Sequence, residues 1–100
     1  MSRKIAARIA QQKRMDDEIL FYVRESQQCA PVTAEAVHGF LKRTRGFDVE
    51  LFAVNDRLAY LVSKTLIAGK VVWSAGEYVN YYKITAKGMD VLDGVLPPGA

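Results

Sequence analysis

The sequence has few cysteines, few prolines and no long apolar runs. Its single cysteine, Cys29, excludes an intrachain disulfide and a thiolate metal cluster, so we expect a buried small side chain there. No apolar run approaches the length of a membrane span, and the basic N-terminus lacks the apolar core of a secretory signal. These absences predict a soluble, cytoplasmic protein with no membrane contact.

Catalytic and cofactor motifs are also missing. The chain has one histidine, His38, and it has neither a glycine-rich phosphate loop nor a nucleophile motif. We expect His38 to be a partly buried packing residue, and the acidic run Asp16-Asp17-Glu18 to be a solvated helical turn rather than a metal site. The sequence therefore predicts no enzymatic activity, no metal and no cofactor.

The charge is distributed unevenly along the chain. The 100 residues, half of them hydrophobic, suffice for one modest core and carry a net charge of +3. The first 14 residues contain no acidic residue and five basic ones, which are Arg3, Lys4, Arg8, Lys13 and Arg14. The rest of the chain has a net charge of −2. This asymmetry indicates an acidic partner, such as nucleic acid, for the N-terminal arm.

The clearest local pattern is a β-hairpin within residues 70–88. Val71-Val72-Trp73 and the run 78–84 are rich in β-branched and aromatic residues, and Gly76 supplies the turn between them. With Ala75-Gly76 as a two-residue loop, Trp73 faces Tyr78 and Val71 faces Asn80. We expect the core face of the hairpin to consist of Val71, Trp73, Tyr78, Tyr82 and Ile84. Two strands alone are marginal in water, so this face should pack against helices.

The N-terminal segment has helical spacing without proline or glycine. Apolar residues recur at Ile5, Ile9, Met15, Ile19 and Val23, and predict a helix over at least 16–28. Two alternatives remain open. Either the acidic residues 16–18 form a first helical turn and the basic segment 1–15 is a separate arm, or one long helix spans both. The arm is then a dimerising element, a DNA-contacting element or a solvated tail.

Three further helices follow from caps and breakers. Pro31 ends the first helix, and Thr33 caps a second over 34–43 that Gly46 closes. Asp48 or Asn55 caps a third helix, which is predicted to run to about residue 68. Thr85 caps a last helix over 86–93. We therefore expect one domain over residues 16–94, followed by a flexible tail over 95–100.

This order of elements resembles a winged helix-turn-helix domain. It contains a short extended Pro31-Val32 after the first helix, and the fold class is mainly α with a small β-hairpin, in the order α-β-α-α-β-β-α. The segment 66–71, LIAGKV, resembles the end of a recognition helix entering a wing. The segment 82–92, YKITAKGMDVL, is similar to the Tyr-x-Leu-Thr-x-x-Gly-x-x-x-Leu segment of MarR-like and PadR-like bacterial or phage regulators.

The resemblance implies duplex DNA binding by a transcriptional regulator. The helix 55–67 would enter the major groove, with Arg57 and Lys64 on phosphate or guanine. Base or sugar contacts would come from Asn55, Tyr60 and Ser63. Backbone contacts would come from Lys42, Arg43 and Arg45, although these residues also suit the negative end of their helix dipole. The basic arm would add nonspecific attraction to phosphate.

Two acidic residues favour a different function. Asp56 on the presumed reading face and Glu77 at the wing tip, where the family usually has Arg or Lys, both repel phosphate. The alternative is a winged-helix interaction module in a larger complex, for example in phage assembly, with Tyr60 and Ile67 anchoring a protein partner. In either case a homodimer would have to use the N-terminal segment.

Overall fold

The computed structural model describes residues 3–94, with side chains from residue 7 onward, and shows four helices and one hairpin there. The elements are α1 (Arg3–Ser26), α2 (Ala34–Arg43), α3 (Leu51–Ser63), β1 (Ile67–Ser74), β2 (Glu77–Ile84) and α4 (Ala86–Leu92). The predicted strand at Pro31-Val32 is reduced to one antiparallel bridge between Val32 and Tyr82. The observed order is therefore α-α-α-β-β-α. The predicted tail, 95–100, lies outside the described residues.

The first helix is one continuous element of 24 residues, so the structure takes the long-helix alternative. Residues 16–18 therefore lie in the middle of a helix and not in its first turn, and Asp16 and Glu18 pair with Arg57 of α3 and Arg45 after α2. Residues 7–11 are exposed, whereas Met15, Ile19, Leu20 and Val23 are buried. The change near residue 15 is thus a change in burial along an unbroken helix.

The predicted caps of α2 and α4 are confirmed. Thr33 Oγ1 accepts a hydrogen bond from the Ala36 amide at 3.2 Å, and Thr85 Oγ1 accepts one from the Gly88 amide at 3.0 Å. Gly46 adopts a φ of +71°, which lets the chain reverse after α2. Both helices therefore begin where the sequence predicts, and α4 ends one residue early, at Leu92.

The third helix is shorter than predicted and begins elsewhere. Its N-cap is Glu50, without a side-chain cap bond, rather than Asp48 or Asn55. It ends at Ser63 instead of about residue 68, because the backbone reverses at Thr65, where φ is +60°. Ile67 then belongs to β1, opposite Ile84, and is 1% exposed. The predicted role of Ile67 as an exposed anchor is wrong.

The hairpin register is confirmed, but its predicted core face is only half right. Trp73 pairs with Tyr78, and the positive φ angles of Ala75 and Gly76 are those of a type I′ turn. Tyr82 and Ile84 pack against the core at the base of the hairpin. The distal residues stand clear of the helices, with Val71 60%, Trp73 61% and Tyr78 73% exposed.

The core lies between the three long helices and the base of the hairpin. Its fully buried side chains are Ile19, Leu20, Val23, Val32, Val37, Leu41, Val54, Leu58, Leu61 and Ile67. Cys29 is not among them: it is exposed in the turn that follows α1, so the prediction of a buried cysteine is wrong. That turn lies beyond the last buried residue of α1, Val23, and exposes three consecutive residues, 28–30.

Candidate nucleic-acid interface

One side of α3 faces away from the core and forms a partly apolar surface with a single charged residue. Val54, Leu58 and Leu61 bury the opposite side of the helix. We call the exposed side the α3 outward surface, and it consists of Phe52, Asn55, Asp56, Ala59, Tyr60, Val62 and Ser63. Asp56 is its only charged residue. Hydrogen-bonding and apolar groups therefore dominate what this surface can offer a base edge.

Three of the predicted contact residues lie together on that surface. Asn55 and Ser63 are exposed, and the Ser63 hydroxyl donates to the Tyr60 carbonyl at 2.6 Å. The Tyr60 ring has two cations near it, with the Arg57 guanidinium 4.3 Å and the Lys64 ammonium 5.8 Å from its centroid. The Tyr60 ring thus lies within cation–π distance of both basic groups at this end of α3.

Arg57 extends from the border of the α3 outward surface towards α1. Its Nε and Nη2 atoms donate to the two carboxylate oxygens of Asp16, at 2.8 and 2.5 Å. The hydrogen bond to Asp16 raises the pKa of Arg57 above its ordinary value. The guanidinium is thereby committed to holding α3 against α1.

Lys64 is joined by a second lysine that the sequence did not single out. The Lys87 ammonium donates to the Lys64 carbonyl at 3.2 Å. Lys64 is the C-cap residue of α3, and Lys87 lies in the first turn of α4. The fold therefore brings the Lys87 ammonium to the backbone at the end of α3, where Lys64 is the C-cap residue.

A second basic cluster forms where α1 passes the end of α2. Arg45 binds Glu18 at 2.6 Å and lies over the Phe40 ring at 5.0 Å, while Arg14 lies over the Phe47 ring at 5.4 Å. Arg14 and Arg45 line a groove of about 490 Å³. Lys42 and Arg43 are exposed on the adjoining last turn of α2. The structure thus places the three predicted backbone contacts, Lys42, Arg43 and Arg45, near Arg14 of the predicted basic arm.

The remaining basic residues lie on α1. Arg8 and Lys13 are exposed, and Arg3 and Lys4 belong to the helix, although their side chains lie outside the described residues. Ile9, which is 51% exposed, borders a groove of about 330 Å³ whose apolar floor is formed by Leu20, Leu61, Leu66 and Val91. Burial raises the pKa of Asp17 in the same groove, and the charge of Lys13 opposes that shift.

The space between α3 and the hairpin is acidic. A groove of about 350 Å³, which we call the wing groove, is lined by Ala34, Glu35, Asn55, Glu77, Tyr78, Val79, Asn80 and Tyr82. Burial raises the pKa of Tyr82, and the nearby charge of Glu35 raises it further. Beside the groove, Trp73 and Tyr78 form an edge-to-face pair with centroids 4.8 Å apart. This region suits cations better than phosphate.

The histidine and the acidic side chains are the remaining candidates for site chemistry within residues 3–94. His38 is half-buried, and its Nε2 atom lies 2.8 Å from the Val49 carbonyl, in keeping with the predicted packing role. No group of three His, Cys, Asp or Glu residues in the described part of the chain is placed to hold a metal ion. None of the helices described there is long and apolar enough to cross a membrane.

Two features of the interface were missed by sequence reasoning. Phe52 is 69% exposed at the start of α3, yet the predicted helix did not assign it to a side. Its angular distance from Val54, Leu58 and Leu61 would have placed it on the α3 outward surface, had the helix start been known. No local pattern in the sequence could place Lys87 near Lys64, because their proximity depends on how α4 docks against the end of α3.

Comparison with known proteins identifies the fold. No protein-family model matches the sequence, and no curated protein matches it. A PadR-like transcriptional regulator from Bacillus cereus superposes with a TM-score of 0.66 at 22% identity, covering 80% of this chain and 75% of its own. A PadR family transcriptional regulator from Eggerthella lenta gives 0.63 at 22% identity, covering 92% and 80%. The chain therefore has a winged-helix fold similar to that of PadR-like structures.

Proposed function

We propose that this protein is a transcriptional regulator that binds duplex DNA by placing α3 in the major groove. The observation that carries the proposal is the α3 outward surface, which is solvent-exposed along the whole helix and lies beside a protruding wing. The two solved structures that this chain resembles are described as PadR-like and PadR family transcriptional regulators. In winged-helix complexes such a helix reads base edges while neighbouring groups hold the backbone.

The contacts divide by chemistry. Asn55, Tyr60 and Ser63 would meet bases or sugars, and Lys64 with Lys87 would meet phosphate at the end of α3. Nonspecific attraction would come from the basic residues of α1 and of the end of α2 with the turn after it, which are Arg3, Lys4, Arg8, Lys13, Arg14, Lys42, Arg43 and Arg45. Arg57 would act by positioning α3, because Asp16 occupies its donors.

The test is fluorescence anisotropy of a labelled mixed-sequence duplex, titrated with the full chain at several salt concentrations. Each lost phosphate contact should lower the slope of log K against log salt by about 0.9. We expect Lys64→Gln/Lys87→Gln to lower the slope by about twice that amount, because the variant loses two phosphate contacts. Lys70→Gln/Lys83→Gln removes two lysines from the hairpin face opposite to that of Tyr82 and should leave the slope unchanged. Equal effects of the two double variants would exclude α3 as the binding element.

A homodimer through the N-terminal half of α1 forms part of the proposal. Ile9 is half-exposed beside a groove with an apolar floor. Residues 7–11 are all exposed, and a helical segment without tertiary packing is marginal in water. Ile9→Glu should shift sedimentation equilibrium towards the monomer. Gln11→Glu adds the same charge at an exposed neighbouring position and is the control. A monomeric wild-type chain at high concentration would contradict this part of the proposal.

A second candidate function is a protein-interaction module. It is favoured by the exposed apolar side chains of Phe52, Val71, Trp73 and Tyr78 and by the carboxylates of the wing groove. Contiguous apolar patches with a polar border often mark protein interfaces. Tyr60 remains available as an anchor, whereas Ile67 is buried.

A further inference from the structure

The outer edge of β2 is paired along only half of its length. The Tyr82 amide donates to the Val32 carbonyl at 2.9 Å, and the Ile84 amide donates to Gln27 Oε1 at 2.9 Å. Every second residue of an antiparallel strand directs its amide and carbonyl to the same side, so Tyr78 and Asn80 share this orientation. Among the described residues, no neighbouring element bonds to either of them. The distal half of the edge is therefore a free template for another strand.

The segment before α2 leaves that edge open in the described part of the chain. Val32 pairs with Tyr82 of β2, but the next residue, Thr33, is already the N-cap of α2. The extended segment therefore covers β2 at one residue only, and the chain then turns away into α2. The space it vacates is the wing groove, with Ala34, Glu35 and Asn55 on one wall and residues 77–80 of β2 on the other. The groove thus continues the line of the Val32 bridge towards the tip of the wing.

Charge and apolar surface together define what fits. Glu35 and Glu77 both line the groove, and neither forms an ion pair with a described side chain. Trp73 and Tyr78 present exposed rings at the same end of the hairpin. Cationic side chains are attracted by carboxylates and by aromatic faces, whereas a phosphate backbone would be repelled here.

We propose that the wing groove binds an extended segment of a partner protein that carries arginine or lysine and adds a strand to β2 at Tyr78 and Asn80. Main-chain hydrogen bonds to the free edge would supply affinity. The two carboxylates would select the charge of the segment, and Trp73 would contact its apolar side chains. This binding is independent of duplex DNA, although Asn55 borders both surfaces.

The experiment uses ¹⁵N-labelled full-length protein and a blocked heptapeptide of alternating arginine and valine. We expect the peptide to slow hydrogen exchange of the Tyr78 and Asn80 amides by about tenfold or more, since an added strand would pair them. It should also change the fluorescence of Trp73, the single tryptophan of the chain. The same peptide with N-methyl groups on its edge-facing amides should give neither effect.

Charge variants test the selectivity. Glu35→Gln/Glu77→Gln should lower the affinity for the arginine and valine peptide about threefold or more, because two exposed ion pairs with the peptide are lost. Asp48→Asn/Asp90→Asn removes two exposed carboxylates elsewhere and should leave its affinity unchanged. Circular dichroism of each variant verifies folding.

Four outcomes would overturn the proposal: no binding at millimolar peptide, equal binding of a glutamate and valine peptide, binding without protection of the two amides, or protection of those amides by duplex DNA. Loss of DNA affinity in the Lys64 and Lys87 variant bears only on the proposed regulator function. The two proposals therefore fail separately.

Discussion

Arg57 and Asp16 join α3 to α1 through a two-point ion pair. The side chains are 18% and 15% exposed, and the two donor–acceptor distances are 2.8 and 2.5 Å. The pair lies in the groove beside Leu20 and Leu61, so little water is available to either partner alone. Removing one partner would leave a poorly solvated charge. The orientation of α3 relative to α1 depends on this contact.

Asp16→Asn should lower the free energy of unfolding by about 2 kcal/mol, because it removes a charged acceptor from two hydrogen bonds. Urea denaturation followed by circular dichroism measures the loss. Glu18→Gln is the matched control, since its partner Arg45 is 37% exposed and such pairs contribute at most about 1 kcal/mol. Equal losses in the two variants would show that the Asp16 pair is no more important than a surface contact.

Gly88 allows α4 to approach the start of β1. A Cβ atom at Gly88 would lie 2.0 Å from the Leu66 carbonyl oxygen and 2.8 Å from Ile84, whereas one at Gly69 would meet only the Tyr82 ring, at 3.6 Å, and Val62. Gly88→Ala should therefore cost about 2 kcal/mol or more of unfolding free energy. Gly69→Ala should change it by no more than about 0.5 kcal/mol. Thermal melts of both variants decide whether this close approach limits substitution.

Cys29 should react with thiol reagents in the folded protein. The side chain is exposed in the turn after α1, so labelling requires no unfolding step. The labelling rate should stay nearly constant as urea is raised through concentrations below the unfolding transition. Cys29→Ser supplies the blank. A rate that tracks the fraction of unfolded protein would mean that the thiol is buried.

Tyr82 should titrate above the ordinary range for tyrosine. Burial is the larger cause of its raised pKa and the charge of Glu35 the smaller one. Glu35→Gln should therefore lower the pKa of Tyr82 only in part, as measured by tyrosinate absorbance with Tyr82→Phe as the reference spectrum. Asp90→Asn, a carboxylate elsewhere on the surface, should leave it unchanged.

The same shift makes folding stability depend on alkaline pH. The folded state holds the Tyr82 proton more tightly than the unfolded state does. The contribution of Tyr82 to the free energy of unfolding is therefore fully present below the unfolded pKa of about 10. It is lost as the pH rises from there through the folded value. An unfolding free energy that increased across this interval would contradict the assigned environment of Tyr82.

Local signals predicted the elements that local chemistry controls. The hairpin turn at Ala75-Gly76, the Thr33 and Thr85 caps and the register of Trp73 against Tyr78 all follow from nearest-neighbour preferences, and each is confirmed. The end of α3 was placed too late, because residues 64–68 contain no proline before Gly69. Pairing of Ile67 with Ile84 overrides the helical pattern there.

Predictions of burial and of contacts that depend on the distance between elements were less accurate. Both Val71 and Ile67 look apolar in sequence, but the hairpin extends beyond the helices, so one is 60% exposed and the other 1%. In the sequence Arg57 is a candidate DNA contact, but in the structure its guanidinium binds Asp16, 41 positions away. The DNA contacts assigned from sequence remain predictions, and the basic arm of α1 is among them.

The sequence by itself determined the four helices and the hairpin of this protein, apart from the bounds of α3, and the sign of its charged segments, because turns, caps and periodicity act over a few residues. Only the tertiary structure decided which surfaces those elements leave open. Docking of α1 on α3 occupies Arg57, and the turn at Thr33 uncovers the edge of β2 beside Glu35 and Glu77. Such surfaces depend on contacts between residues far apart in the chain, which no local pattern specifies.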